Sequence, residues 1–132
     1  MIAHDLFAYK ITAVLIRAGL PIAATPDHSL EAGAHISVDD TSDPPVALVE
    51  WRAHPSLNAH FLTVPHDQLL TDPKVRTRQT AIRAMNTAIT AVLEAEGHRV
   101  RKGEDLDDLW VGQLVVTGPE QGPETENPRP AV

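Results

Sequence analysis

The sequence predicts an α+β domain built from two α-β-β pseudo-repeats, with a mostly antiparallel sheet and two helices packed on one of its faces. Three observations carry this. The pentapeptide ITAVL occurs twice, at Ile11 to Leu15 and at Ile89 to Leu93, each followed four residues later by a glycine, Gly19 and Gly97. Helical periodicity precedes both glycines and short apolar strands follow them. Between the two copies, PVALVEWRA alternates as a strand with one buried face does.

The likeness of the copies runs past the pentamer. Aligned without a gap, Gly19 matches Gly97, Ile22 matches Val100 and Asp27 matches Asp105; one inserted residue then brings Leu30 to Leu109, Gly33 to Gly112, Ile36 to Val115 and Val38 to Thr117. We read the two units as covering about residues 5–40 and 72–117, joined by a central strand segment over 45–66. They form a single domain over 1–117.

In the first helix Phe7, Ile11, Val14 and Ala18 recur at helical spacing. Gly19 supplies the left-handed stop and Pro21 cannot continue the helix. The strands LPIAAT and AHISVD come next, and the turn DDTSDPP has the side-chain and proline chemistry of a hairpin connection. In PVALVEWRA, Ala47, Val49, Trp51 and Ala53 share one face, while Glu50 and Arg52 share the other. Trp51 is therefore expected to be buried, and Trp110, after the acidic run DLDDL, more exposed. NAHFLTV is a candidate for a further strand. Asp72 then reads as an N-cap with Pro73 at the first helical position. Val75, Ile82, Met85, Ile89 and Val92 form the apolar stripe of a helix of about 24 residues, roughly 36 Å long. HRVRKG and GQLVVT complete the sheet, the last as an edge strand open to pairing. From Gly118 onward, four prolines and three acidic residues with almost nothing apolar predict a disordered tail over 118–132.

Composition narrows the function classes. The chain has 132 residues, no cysteine and a formal charge of −7. Thiolate nucleophiles, disulfides and cysteine-bound zinc are excluded, and the negative balance disfavours a nonspecific coat on DNA. The first residues lack the basic region of a secretory signal, and no apolar run is long enough to span a membrane. A cytoplasmic protein is expected. No nucleophile-elbow, dinucleotide or P-loop motif is present.

His54, His60 and His66 lie six residues apart, a spacing that on a strand would hold neighbours about 20 Å from each other. Metal sites draw ligands much closer than that, so no metal and no cofactor is expected. The adjacent His66 and Asp67 resemble the pair used by metal-dependent phosphohydrolases of the HD type. Here they stand in an extended, loop-like setting, and we read them as the approach to the second helix.

The most pointed local feature is DPKVRTRQTAIR at the start of the second predicted helix. Lys74, Arg76, Arg78 and Arg83 gather cations where the helix dipole is already positive, an arrangement that an anion would relieve. Arginine outnumbers lysine along the whole chain, as a GC-rich genome produces, so the number of arginines alone carries little. The α-β-β-β-α order with a basic run at this helix end resembles that of double-stranded-RNA-binding domains. The functional expectation is a small non-enzymatic protein-interaction or regulatory module that self-associates as a homodimer or binds a protein partner. A phosphate or nucleic-acid binder that uses Lys74, Arg76, Arg78 and Arg83 is the alternative, and a histidine-metal enzyme stands third.

Overall fold

The computed structural model describes residues 3–24, 31–39, 41–106 and 112–118. Helix α1 (Ala3–Arg17) leads to strands β1 (Gly33–Asp39) and β2 (Val46–Arg52), then to helices α2 (Pro55–Thr63) and α3 (Pro73–Ala95), and finally to strands β3 (Arg99–Lys102) and β4 (Leu114–Thr117). The four strands form one antiparallel sheet in the order β1-β2-β4-β3. This is an α+β fold.

The register explains the core. Ile36 opposes Val49, Val49 opposes Leu114, Ala47 opposes Val116 and Val116 opposes Val100. Alternation therefore sets these residues on the same face of the sheet. Ala34, Ala47, Val49, Leu114 and Val116 meet Phe7, Ile11, Val14 and Leu15 of α1 and Ile89 and Leu93 of α3 in one cluster. In both copies of ITAVL the isoleucine and the leucine are fully buried.

The two helices also end alike. Gly19 has φ +89° and Gly97 φ +94°. Leu20 N donates to Leu15 O at 3.0 Å, and His98 N donates to Leu93 O at 3.0 Å. Those are the longer hydrogen bonds of a Schellman cap, set at matching distances from the two ITAVL pentapeptides.

Beyond the caps the two segments differ. After Gly19 the chain makes a single parallel bridge, Ile22 to Ala34, where LPIAAT reads as a strand; after Gly97, β3 pairs antiparallel with β4 over four residues. The alignment with an inserted residue sets Ile36, on the core face, against Val115, on the opposite face. An ungapped alignment sets it against Leu114, which shares the core face.

Three further expectations are corrected. NAHFLTV is helical: His54 Nδ1 accepts from Ser56 N at 3.1 Å and Pro55 holds the first turn, so a capped helix forms where its alternation suggests a strand. The strand in the 45–66 segment is accordingly confined to β2. GQLVVT is no edge: β4 lies between β2 and β3, and the edges are β1 and β3. Trp51 is half-buried and packs against the cluster from its margin. Trp110 and residues 119–132 lie outside the described residues, as do Asp27, Asp40, Asp107 and Asp108. The expected cap of the long helix is found, with Asp72 at the N-cap of a helix of 23 residues.

Candidate functional site

The basic run is divided by the packing of α2 on α3. Lys74, Arg76 and Arg83 are exposed. Arg78 instead turns toward α2, where its Nε donates to Asn58 Oδ1 at 2.8 Å and its guanidinium stacks 4.6 Å from the centroid of Phe61. Burial lowers the Arg78 pKa from its ordinary value.

The first turn of α3 is also occupied. Asp72 Oδ1 accepts from Lys74 N at 2.9 Å and from Val75 N at 3.0 Å, and His60 Nε2 donates to the same oxygen at 2.9 Å. The carboxylate thus holds backbone donors that an external anion would use. It also ties the end of α2 to the start of α3.

The Asp72 pKa lies below its ordinary value, chiefly through the hydrogen bond from Val75 N, with His60 and Lys74 N adding to the effect against the opposing cost of burial. A carboxylate depressed on folding contributes stability in full above its unfolded pKa and loses it as pH falls through the folded value. Asp72→Ala is therefore expected to lower the melting temperature at neutral pH, with the gap to the parent chain closing toward acid. Thermal melts across that range check it, and a gap independent of pH would assign the effect to something other than the ionised cap.

His54, His60 and His66 do not converge. His54 caps α2 and His60 pairs with Asp72, while His66 is exposed in the 3-10 turn His66–Gln68 with Asp67 beside it. No group of three metal-ligating side chains occurs among the described residues.

Two concave surfaces stand out. The larger, about 990 Å³, runs between α3 and the β3–β4 side of the sheet. Arg83, Arg101 and Lys102 line it together with Glu94, Glu104 and Asp105, so its formal charges balance. In its wall Asn86 Nδ2 donates to Gly112 O at 3.3 Å, while Asn86 Oδ1 is buried without a partner among the described residues. The smaller, about 260 Å³, lies on the sheet face opposite the core and is bounded by His35, Ser37, Leu48, Glu50, Arg52 and Gln113. Here Arg52, almost wholly buried, meets Glu50 at 3.4 Å, and Gln113 Nε2 reaches the other Glu50 oxygen at 3.5 Å. An acid, a base and an amide so arranged hold one another.

A third feature is apolar. Leu6, Tyr9 and Ile16 of α1 are 42%, 65% and 57% exposed, and Leu62 and Leu70, at either end of the α2–α3 connection, are 82% and 90% exposed. Isolated apolar side chains on a surface are ordinary. On α1, however, the three recur at helical spacing on the side away from Phe7, Ile11 and Val14, and they form a stripe.

Sequence reasoning did not identify this stripe, although its spacing was available. The core stripe of the same helix is longer and drew the assignment. The larger groove carries no linear motif, because Arg83 and Arg101 come from separate elements.

No family model, curated protein or solved structure matches the chain. Among the described residues, no helix is long and apolar enough to cross a membrane.

Proposed function

We propose that this domain is a non-enzymatic protein-interaction module that associates with itself, acting in the cytoplasm. The observation that carries the reading is the exposed Leu6–Tyr9–Ile16 stripe on α1, since an apolar helix face left in water gains free energy when a second surface covers it. The sheet edges at β3 and at the part of β1 beyond the Ile22–Ala34 bridge are a secondary opportunity for pairing. The absence of cysteine fits a reducing compartment. On the same reading α1 and α3, with their identical pentapeptides and matching caps, are copies of one unit packed on a common face of the sheet, and their outer sides are left for partners.

Light scattering on the full chain over a range of concentrations tests this. The expected molar mass rises above the 14.3 kDa of a single chain as concentration increases. A value fixed at the monomer throughout would count against self-association.

The second reading, a phosphate or nucleic-acid binder, is favoured by one observation, the convergence of Arg83, Arg101 and Lys102 on the larger groove. Three acidic side chains share that groove, which places this reading behind the first. If it holds, binding to an RNA or DNA duplex weakens steeply with added salt. Arg76→Ala with Arg83→Ala then lowers the salt slope by about one or two units without changing the melting temperature.

A further inference from the structure

We propose that the outer edge of β3 takes an added antiparallel strand from a partner protein, a segment in which acidic and apolar residues alternate. The proposal deepens the protein-interaction reading and rests on it. Gly103 N donates to Gln113 O at 2.7 Å, and these residues stand directly opposite each other in the register that pairs Arg101 with Val115 and Arg99 with Thr117. Hydrogen-bonded and non-bonded pairs alternate along an antiparallel ladder, so the backbone N–H and C=O groups of Val100 and Lys102 point away from β4. Among the described residues nothing meets them, because β3 is an edge of the sheet. Such a row of groups selects an extended main chain.

The side chains select its composition. Val100 is on the core face and packs against the cluster, so Arg99 and Arg101 stand on the opposite face. Both are exposed, and the residues of an added strand level with them form the non-bonded pairs, in which side chains come closest. Carboxylates at those two levels each meet a cation. The residue level with Val100 stands on the core face beside the larger groove, where Val100 and Ala91 are part of the lining and Lys102 and Glu94 carry opposite charges. An apolar side chain suits that position. Glu104 and Asp105 follow in the 3-10 turn Gly103–Asp105, so the acidic stretch ends at the level of Lys102.

A second copy of β3 is a poor occupant. Joining the Val100 and Lys102 backbones of two copies antiparallel sets Arg99 opposite Arg101, Arg101 opposite Arg101, or Lys102 opposite Lys102, according to the register. Like charges directly opposite are destabilising in each case. The edge thus discriminates against itself and in favour of a partner of the other sign. The formal charge of −7 on the whole chain opposes an acidic partner at long range, but salt at about 0.1 M screens that repulsion beyond about 10 Å.

The proposal is tested by NMR titration of the full chain with the capped pentapeptide acetyl-Val-Glu-Val-Glu-Val-amide, whose ends carry no charge. Saturable shifts are expected at the amides of Val100 and Lys102. The glutamine analogue is expected to bind about tenfold more weakly. An analogue methylated on its valine nitrogens is expected not to bind, since those N–H groups make the bonds to β3. Arg101→Glu is expected to weaken the glutamate peptide by about tenfold and to favour the lysine analogue instead, with the melting temperature unchanged because Arg101 is exposed.

No saturable shift at millimolar peptide, or undiminished binding of the methylated analogue, would overturn the added strand. Equal binding of the glutamine analogue would overturn the acidic composition. Light scattering reads self-association separately. A chain that self-associates without taking the peptide keeps the interaction module and loses this proposal, whereas a monomer that takes it keeps the proposal and loses self-association.

Discussion

Leu93→Ala is expected to destabilise the domain by about 3 kcal/mol, within the range of 2 to 5 for truncating a buried leucine. Leu93 is wholly inaccessible and belongs to the cluster in which α3 meets α1 and the sheet. Removing three carbons there loses their transfer free energy and leaves a void that the surrounding side chains fill only in part. The neighbouring elements have little freedom to collapse into it. The Leu93 carbonyl accepts from both Glu96 N and His98 N, which fixes the end of α3, and the Val49, Leu114 and Val116 positions are held by the β2–β4 ladder. A fall in melting temperature of roughly 10 °C is the corresponding observation. Leu62→Ala provides the control. The residue type is the same, but Leu62 is almost fully exposed in α2, so its truncation is expected to change stability by no more than about 0.5 kcal/mol. Comparable losses at both positions would mean that the cluster does not hold the fold together.

Where local chemistry determines a conformation, the sequence disclosed it. Asp72 followed by Pro73 placed the start of α3, because a short carboxylate and a residue without an N–H suit those two positions. Gly19 and Gly97 placed the helix ends, because both backbones enter the left-handed region. The alternation in VALVEWR placed β2. Where a conformation depends on distant partners, the reading failed. NAHFLTV alternates well enough for a strand, and only His54, Pro55 and Ser56 ahead of it signal a helix; a histidine nitrogen acting as a cap is a weak signal in a sequence. β4 reads as an edge strand from its position near the end of the chain. The sheet order that seats it between β2 and β3 follows from α3 crossing the sheet, which periodicity does not encode.

The candidate site was less readable for the same reason. Lys74, Arg76, Arg78 and Arg83 look like one cluster along the chain, yet Asn58 and Phe61, from another helix, draw Arg78 away from it. The Asp72 cap that satisfies the helix start gains a third donor from His60, twelve residues earlier. Charges that appear available for an anion are thus partly committed to joining α2 and α3.

Gly33→Ala is expected to cost about 3 kcal/mol, by a route unrelated to cavity formation. Gly33 opens β1 with φ +133°, a conformation that side chains other than glycine adopt at a cost. Space compounds the strain. A Cβ at this position would stand 2.9 Å from Pro21 O, 3.0 Å from Ala23 N and 3.1 Å from the Ile22 carbonyl carbon. All three are backbone atoms, so no side chain can turn aside to make room. The segment is held there by Ala23 N donating to Ala34 O at 2.8 Å and Ala34 N donating to Pro21 O at 2.9 Å, the two hydrogen bonds of the parallel bridge. To accept the methyl group, the chain must either distort β1 at its first residue or release that bridge, which connects the α1 cap to the sheet. Gly112→Ala separates the two causes. Its φ of +85° carries similar backbone strain, but nothing lies within 4 Å of the added carbon. It is expected to cost about 1 kcal/mol. Thermal or urea denaturation of the two variants checks the difference. Equal losses would show that conformation alone is at work and that the Pro21–Ala23 segment yields. A larger loss for Gly33→Ala, with faster amide exchange at Ala23 and Ala34 than in the parent, would locate the damage at the bridge.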